Sequence, residues 1–91
     1  MTKYKIFYSE NFRKTYKKLV RRNPDVSFEI LESLILFHQD PFSIQLKTHK
    51  LKGSLASFYA FSVLSDLRIV FRFDDLGDII VVDIGSHDEV Y

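Results

Sequence analysis

Residue types suited to proton transfer and phosphate binding occur in four places: His49 with Lys50 and Lys52, Asp66 with Arg68, Arg72, and His87 with Asp88 and Tyr91. His87 follows residues 78–84, a short β-branched run between two glycines that predicts a buried strand. Side chains at the rim of a sheet are held in place by a rigid frame, and histidine transfers protons near neutral pH. His87 is therefore a candidate acid or base. The alternative is that His87 caps the strand while Tyr91 packs over the sheet edge.

Arg68 and Arg72 fall in a second predicted strand, residues 67–74, where they alternate with Ile69 and Phe71. If helices cover the apolar side of this strand, both arginines lie on the open face of the sheet. Guanidinium groups there are suited to phosphate binding. The alternative for each arginine is a solvated side chain or one half of a weak ion pair.

Length and composition restrict the class of protein. A chain of 91 residues forms one domain with one core. The absence of cysteine excludes disulfides and thiolate metal sites, and predicts a cytoplasmic protein. No stretch could span a bilayer and no signal peptide is evident. The three histidines lack metal-site spacing and no nucleotide-binding motif is present, so neither a metal nor a cofactor is predicted.

The net charge is only +1, but the basic residues are concentrated. Residues 1–22 contain eight lysines or arginines and a single glutamate, and Lys47, Lys50 and Lys52 form a second basic segment. Such patches suit a polyanion or an acidic protein partner. The alternative for the first segment is a helix that is simply solvated.

Periodicity predicts the element order. Residues 3–8 alternate as a strand, Ser9 is suited to cap a helix, and apolar residues through position 20 follow helical spacing. Asn23 and Pro24 are predicted to start a second, largely buried helix that ends near residue 39. Residues 43–57 form a basic loop before three strands in an antiparallel meander. The predicted fold is α+β, with order β-α-α-β-β-β and two N-terminal helices packed on one face of a mainly antiparallel sheet.

Three sequence blocks in this order resemble the RelE/ParE superfamily of type II toxin-antitoxin toxins, and most closely the RelE/YafQ-like mRNA interferases. The blocks are His-Lys-Leu-Lys-Gly at 49–53, Asp-Leu-Arg-Ile-Val-Phe at 66–71, and Ile-Gly-Ser-His-Asp-Glu-Val-Tyr at 84–91. The resemblance covers residues 1–91 as a single toxin domain. The chain departs from the YafQ-like pattern at Ser62 and Leu67, where that branch tends to have a histidine and a tryptophan.

The resemblance implies an endoribonuclease that cleaves mRNA on the ribosome and inhibits translation. The implied reaction needs no metal: the 2′-hydroxyl attacks the adjacent phosphate and leaves 2′,3′-cyclic phosphate and 5′-hydroxyl ends. The implied catalytic residues are His49, Asp66, Arg68, His87 and Tyr91. Among them His87 is the expected acid and either His49 or Asp66 the expected base. The expected RNA-binding residues are Lys14, Lys17, Lys18, Lys47, Lys50, Lys52 and Arg72.

The resemblance also implies partners other than mRNA and the ribosome. An acidic, partly disordered, DNA-binding antitoxin is expected to cover the grooves around residues 12–22 and the sheet edge, giving a toxin-antitoxin hetero-oligomer. No membrane association is expected. Two alternatives stay open: a ParE-like toxin that acts on DNA gyrase, and a non-catalytic homologue that binds an antitoxin.

Overall fold

A computed structural model describes residues 4–86 and Val90 as a five-stranded sheet with two helices on one face. The elements are β1 (Ile6–Tyr8), α1 (Glu10–Arg22), α2 (Val26–Gln39), β2 (His49–Lys50), β3 (Phe58–Leu64), β4 (Leu67–Phe73) and β5 (Ile79–Ser86). The predicted α+β fold is confirmed. The loop at 43–57 is more structured than predicted, because it contains β2 and two short 3-10 turns.

The strands lie in the order β1-β5-β4-β3-β2. β2, β3, β4 and β5 pair antiparallel, whereas β1 runs parallel to β5 and places residues 6–8 beside residues 79–81. The sheet is therefore mainly antiparallel, as predicted. Neither helix in the described part of the chain is long and apolar enough to cross a bilayer.

A one-residue bulge interrupts β5 opposite Val70 and Phe71 of β4, and Val82 is the extra residue. A bulge of this kind shifts the alternation of side chains by one position. Val81 before the bulge and Ile84 after it therefore both point into the core beneath the helices. An uninterrupted strand would turn one of them to the opposite face.

The bulge also attaches α1 to the sheet. The Val82 carbonyl accepts hydrogen bonds from Ser9 Oγ at 3.0 Å and Asn11 Nδ2 at 2.9 Å. Ser9 Oγ in turn accepts a hydrogen bond from the backbone N–H of Phe12 at 3.0 Å. The prediction that Ser9 caps α1 is confirmed, and the same hydroxyl satisfies a strand carbonyl at the bulge.

The main core lies between the helices and the sheet, and α2 supplies its centre. Ile30 and Phe37 of α2 are fully buried. The Phe37 ring stacks on Phe61 of β3 at a centroid distance of 4.6 Å and meets the edge of Phe71 of β4 at 4.9 Å. These three rings hold α2 across the two central strands.

The prediction that α2 is largely buried is wrong. Phe28, Leu31 and Ile35 are 64%, 57% and 51% exposed. α2 packs on the sheet through a single stripe, and among the described residues no third layer covers its other side. Apolar residues on two sides of a helix show that both sides are apolar, not that both are buried.

The predicted start of α2 is also wrong. Asn23 is the C-cap of α1, because its N–H donates to the Leu19 carbonyl at 2.9 Å and continues the hydrogen-bonding pattern of that helix. Pro24 lies in the following turn, and Asp25 precedes the first residue of α2. A residue suited to cap one helix can equally end the helix before it when two helices are this close in sequence.

Replacing Phe37 by alanine should lower the free energy of unfolding by about 3–5 kcal/mol, because it removes a buried ring from a close-packed cluster. The matched control is Phe28→Ala in the same helix, for which a change within about 0.5 kcal/mol is expected since the ring is exposed. Urea denaturation of both variants measures the difference. Equal losses would contradict this description of the α2 faces.

A second contact joins β1 to α2. The Tyr8 hydroxyl and His38 Nε2 form a hydrogen bond of 2.7 Å, and the two rings stack at 6.0 Å. Burial raises the pKa of the Tyr8 phenol from 10.0 to about 12. Tyr8 therefore remains protonated in the folded chain at pH values where it would ionise in the unfolded chain.

Because the folded-state pKa is raised, Tyr8 stabilises the fold fully below pH 10, and this contribution is lost as the pH rises from 10 to about 12. The thermal unfolding midpoint of the wild-type chain should therefore fall more steeply across that range than the midpoint of Tyr8→Phe, which has no phenol to ionise. Calorimetric scans of both chains at matched ionic strength measure this. Parallel curves would exclude a raised pKa at Tyr8.

Candidate active site

The face of the sheet opposite the helices carries a small apolar cluster. Leu51, Ala60 and Val70 are its buried members. Arg68 and Arg72 lie two positions to either side of Val70 on β4 and therefore share its face. The predicted placement of the two arginines away from the helices is confirmed, and we call this surface the uncovered face.

His49 also belongs to the uncovered face. β2 pairs with β3 so that His49 lies opposite Ala60, and Ala60 in turn lies opposite Val70. Directly opposed residues of an antiparallel pair point to the same side of a sheet. The His49 side chain is thus about 10 Å, two strand spacings, from the line of β4.

The chain immediately before β2 orients His49. His49 Nδ1 lies 3.1 Å from the carbonyl oxygen of Lys47, and because a carbonyl can only accept, Nδ1 carries the hydrogen. Nε2 is then the basic nitrogen of the neutral ring. Lys47 itself adopts the left-handed backbone conformation, with φ of 55°, which is uncommon for a residue with a side chain.

A concavity of about 350 Å³ opens beside this histidine. It is lined by His49, Lys50, Leu51, Lys52 and Leu55. Both lysines are exposed, whereas Leu51 is buried beneath them. The site therefore combines an oriented imidazole with a basic segment of the chain and a buried leucine.

Arg68 contacts the turn that precedes its own strand. Its Nη1 donates to the carbonyl oxygens of Leu64 and Ser65, both at 3.0 Å, and more weakly to that of Leu67 at 3.4 Å. These carbonyls belong to the turn between β3 and β4, which carries Asp66. Arg68 thus holds that turn, and among the described residues its Nε and Nη2 have no hydrogen-bond acceptor.

Asp66 lies at the end of this hairpin and lines a second concavity, of about 300 Å³, together with Asn23, Ser65 and Ser86. Val70 is level with His49 across the sheet. Asp66 precedes Val70 by four residues and is therefore offset from His49 by about 13 Å along the strand direction. Within the described chain, Asp66 and His49 line separate concavities.

His87 and Tyr91 lie outside the described residues, so their predicted roles stay predictions. The chain before them is defined, because Ser86 of β5 pairs with Leu67 of β4, next to the turn that carries Asp66. The chain after them is defined at one point, because Val90 packs against the apolar cluster of the uncovered face.

The three predicted RNA-binding residues of α1, Lys14, Lys17 and Lys18, lie elsewhere. They are exposed on the helix that packs against β5 on the covered side of the sheet. Lys50 and Lys52 line the concavity beside His49, and Arg72 lies on the uncovered face. In the described part of the chain no three histidine, aspartate or glutamate side chains come together as metal ligands.

A sequence model of a bacterial toxin of the type II toxin-antitoxin system, YafQ, matches residues 4–91. The chain belongs to the YafQ toxin family. No curated protein sequence matches it. Among solved structures, a copper-bound mutant toxin from Helicobacter pylori is 27% identical with a TM-score of 0.72, over 97% of this chain and 99% of that one.

YafQ from Escherichia coli has a similar fold, with 20% identity and a TM-score of 0.72 over 98% of this chain and 99% of that one. The E. coli DinJ-YafQ complex gives 22% identity and a TM-score of 0.72, also over 98% and 99% of the two chains. At this level of identity the two E. coli structures support the fold alone.

The two departures from the YafQ-like pattern occupy different environments. Ser62 lies opposite Arg68 in the sheet and is partly exposed. Leu67 is 8% exposed and belongs to the core beneath the helices. The residue at position 67 of this YafQ-family chain is thus a core residue. The sequence predicts Lys47 only as an RNA-binding cation. Its left-handed backbone conformation could not be predicted, because nothing in the sequence indicates that a lysine adopts it.

Replacing Arg68 by alanine should loosen the hairpin turn. We expect about tenfold faster amide hydrogen exchange at residues 64–67, since a hydrogen bond from a charged donor contributes about 1.5 kcal/mol. Arg72→Ala is the matched control, because Arg72 lies on the same strand and face but makes no contact with the turn. Unchanged exchange in Arg68→Ala would show that its hydrogen bonds do not hold the turn.

Proposed function

We propose that this YafQ-family toxin is an endoribonuclease that cleaves mRNA on its uncovered face. The observation that carries the proposal is the orientation of His49: its Nδ1 lies 3.1 Å from the Lys47 carbonyl oxygen, its Nε2 is the basic nitrogen, and the residue lines a concavity together with Lys50 and Lys52. A base set between cations fits a substrate that has both an acidic hydroxyl and a phosphate.

The substrate class follows from these groups. Lys50 and Lys52 line the concavity together with His49, and Arg72 lies on the uncovered face of β4. Together they would bind consecutive phosphates of a nucleic acid backbone. RNA rather than DNA is proposed, because only RNA has a 2′-hydroxyl that a neighbouring base can turn into a nucleophile.

In the proposed reaction His49 Nε2 removes the proton of the 2′-hydroxyl, and the resulting oxygen attacks the adjacent phosphorus. The bond to the 5′-oxygen breaks, giving a 2′,3′-cyclic phosphate and a 5′-hydroxyl. The leaving oxygen takes its proton from a general acid, the role proposed for His87. The lysines offset the charge that develops on the phosphate oxygens, and Tyr91 is proposed to orient a base.

His49 is proposed as the base in preference to Asp66 for two reasons. Asp66 lines a different concavity, at the end of the hairpin. A carboxylate with a reference pKa of about 3.9 is also a weaker base near neutral pH than an imidazole at about 6.5. Asp66, on the turn held by Arg68, is proposed to position the substrate, and the remaining donors of Arg68 are proposed to contact phosphate.

Partners are proposed on the same basis. YafQ from E. coli has been crystallised with the antitoxin DinJ. We propose that the present toxin also forms a hetero-oligomer with an acidic, DNA-binding antitoxin, and that it acts in the cytoplasm on ribosome-bound mRNA. Release from the antitoxin would then inhibit translation.

Replacing His49 by glutamine should slow RNA cleavage about 10²- to 10⁴-fold, because it removes the base while keeping a polar side chain of similar size. The matched control is His38→Gln, since His38 lies on α2 on the covered side of the sheet and should leave the rate unchanged. Single-turnover cleavage of a defined mRNA, with and without ribosomes, measures the rate, and analysis of the 3′ ends identifies the cyclic phosphate.

Cleavage by His49→Gln at the wild-type rate would remove His49 from the role of base. Intact transcripts together with DNA damage after toxin induction would instead favour action on DNA gyrase. Harmless induction of the wild-type toxin without its antitoxin would favour a non-catalytic homologue.

A further inference from the structure

The uncovered face continues beyond β4 to the far edge of the sheet, where it carries an exposed aromatic residue. In β1, Ile6 and Tyr8 pack against the main core, so Phe7 between them points to the uncovered face. Phe7 is 51% exposed, and no other aromatic ring of residues 4–86 stacks on it. The strand thus presents a planar apolar group to solvent.

The residues beside Phe7 extend this surface as one row across three strands. Phe7 lies opposite Ile80 of β5, and Ile80 lies opposite Arg72 of β4. Residues in register on neighbouring strands point to the same side of a sheet, and both Ile80 and Arg72 are partly exposed. The row therefore runs from an aromatic ring, over an aliphatic side chain, to a guanidinium group.

A cation lies at each end of this surface. The carbonyl of Lys5 accepts a hydrogen bond from the N–H of Ile79 at 2.8 Å, which holds Lys5 extended beside β5. Because Tyr4 packs on the main core, the alternation places the exposed Lys5 side chain on the same side as Phe7. Within the described chain, the Arg72 guanidinium makes no hydrogen bond or ion pair. We call the following four residues the β1 edge patch: Lys5, Phe7, Ile80 and Arg72.

We infer that the β1 edge patch is a subsite for single-stranded RNA, an inference that rests on the proposed function. A base would stack on Phe7, and the phosphates on either side of that base would contact Lys5 and Arg72. Proteins that bind single strands combine aromatic side chains, on which bases stack, with cations that follow the backbone. Every base has a flat apolar face, so this subsite would add affinity without selecting a sequence.

The patch and the concavity beside His49 belong to one surface. β1 lies four strand spacings from β2, about 19 Å. Arg72 is two residues along β4 from Val70, the position level with His49. Neither α1 nor α2 lies between the two sites, because both helices pack on the other face. An RNA strand cleaved beside His49 would cross β4 near Arg72 and reach Phe7 with nucleotides that flank the cleaved bond.

Two carboxylates restrict where the phosphates can lie. Asp83 is opposite Val70, and Asp74 follows Arg72 by two residues, so one carboxylate lies on each side of the row. Each accepts hydrogen bonds from backbone N–H groups of its own segment. Phosphates are repelled by both, and the row between them is the favoured position for the backbone.

A protein partner fits the patch less well than RNA. An acidic peptide would meet the carboxylates of Asp74 and Asp83 as well as the cations. A second copy of the chain, related by a twofold axis, would bring the same patch against itself and place its cations close to those of the first copy. A nucleotide supplies the flat apolar group and the negative charge together.

Phe7→Ala tests the inference, with Phe28→Ala as the matched control, since Phe28 is 64% exposed on α2, on the other side of the sheet. Each chain is titrated with a fluorescent single-stranded RNA that carries 2′-O-methyl groups and cannot be cut, both free and bound to ribosomes. Phe7→Ala should weaken binding about five- to tenfold, because one stacked base is lost. Phe28→Ala should bind like wild type.

Three further variants separate stacking from other contacts. Phe7→Leu should bind as weakly as Phe7→Ala, whereas Phe7→Tyr should bind like wild type, since only tyrosine keeps a planar ring. Lys5→Ala should make the dependence of log affinity on log salt shallower by about 0.7, the value for one phosphate contact on a single strand. Unchanged unfolding midpoints show that the variants fold.

Equal RNA affinities of Phe7→Ala and Phe28→Ala would overturn the inference, even if the wild-type chain cuts RNA. Wild-type affinity of Phe7→Leu would also overturn it, because an apolar contact without stacking would then suffice. A wild-type chain that binds the methylated RNA but does not cut the unmodified RNA would refute the proposed function alone. A wild-type chain that binds RNA in neither form would refute both.

Discussion

The bulge at Val82 determines how the two layers of this toxin fit together. It lets Val81 and Ile84 both point into the core, and it leaves a carbonyl that accepts from Ser9 and Asn11 at the start of α1. These hydrogen bonds attach the first turn of α1 to the middle of β5.

A sheet covered on one side has two faces that can serve different purposes. On the uncovered face, a small apolar cluster packs the loop at 43–57 against the strands. The other positions of this face can carry polar side chains such as His49 and Arg72. The covered face provides the stability, through rings such as Phe37. α2 then presents a second apolar side to solvent.

Much of this arrangement could be predicted from sequence, because periodicity records which side of an element is buried. The alternation around Arg68 gave the correct face, and Ser9 was correctly placed as a helix cap. The contact of Arg68 with the hairpin turn could not be predicted, since its acceptors are backbone carbonyls that any residue supplies. The left-handed conformation of Lys47, whose carbonyl oxygen lies 3.1 Å from His49 Nδ1, could not be predicted from the sequence either. The exposure of Phe28 depends on whether a further layer of the fold covers α2. The local sequence pattern of a helix contains no information about that layer.

The parallel pairing of β1 with β5 has a consequence for the synthesis of the chain. Residues 6–8 leave the ribosome early, whereas their partners, residues 79–81, leave it more than seventy residues later. Pairings between such distant segments form slowly and cannot form at all on a partial chain. The edge strand and the N-terminal end of α1 thus reach their native position only after residues 79–81 have been synthesised, so the domain is not yet folded while most of it is being translated.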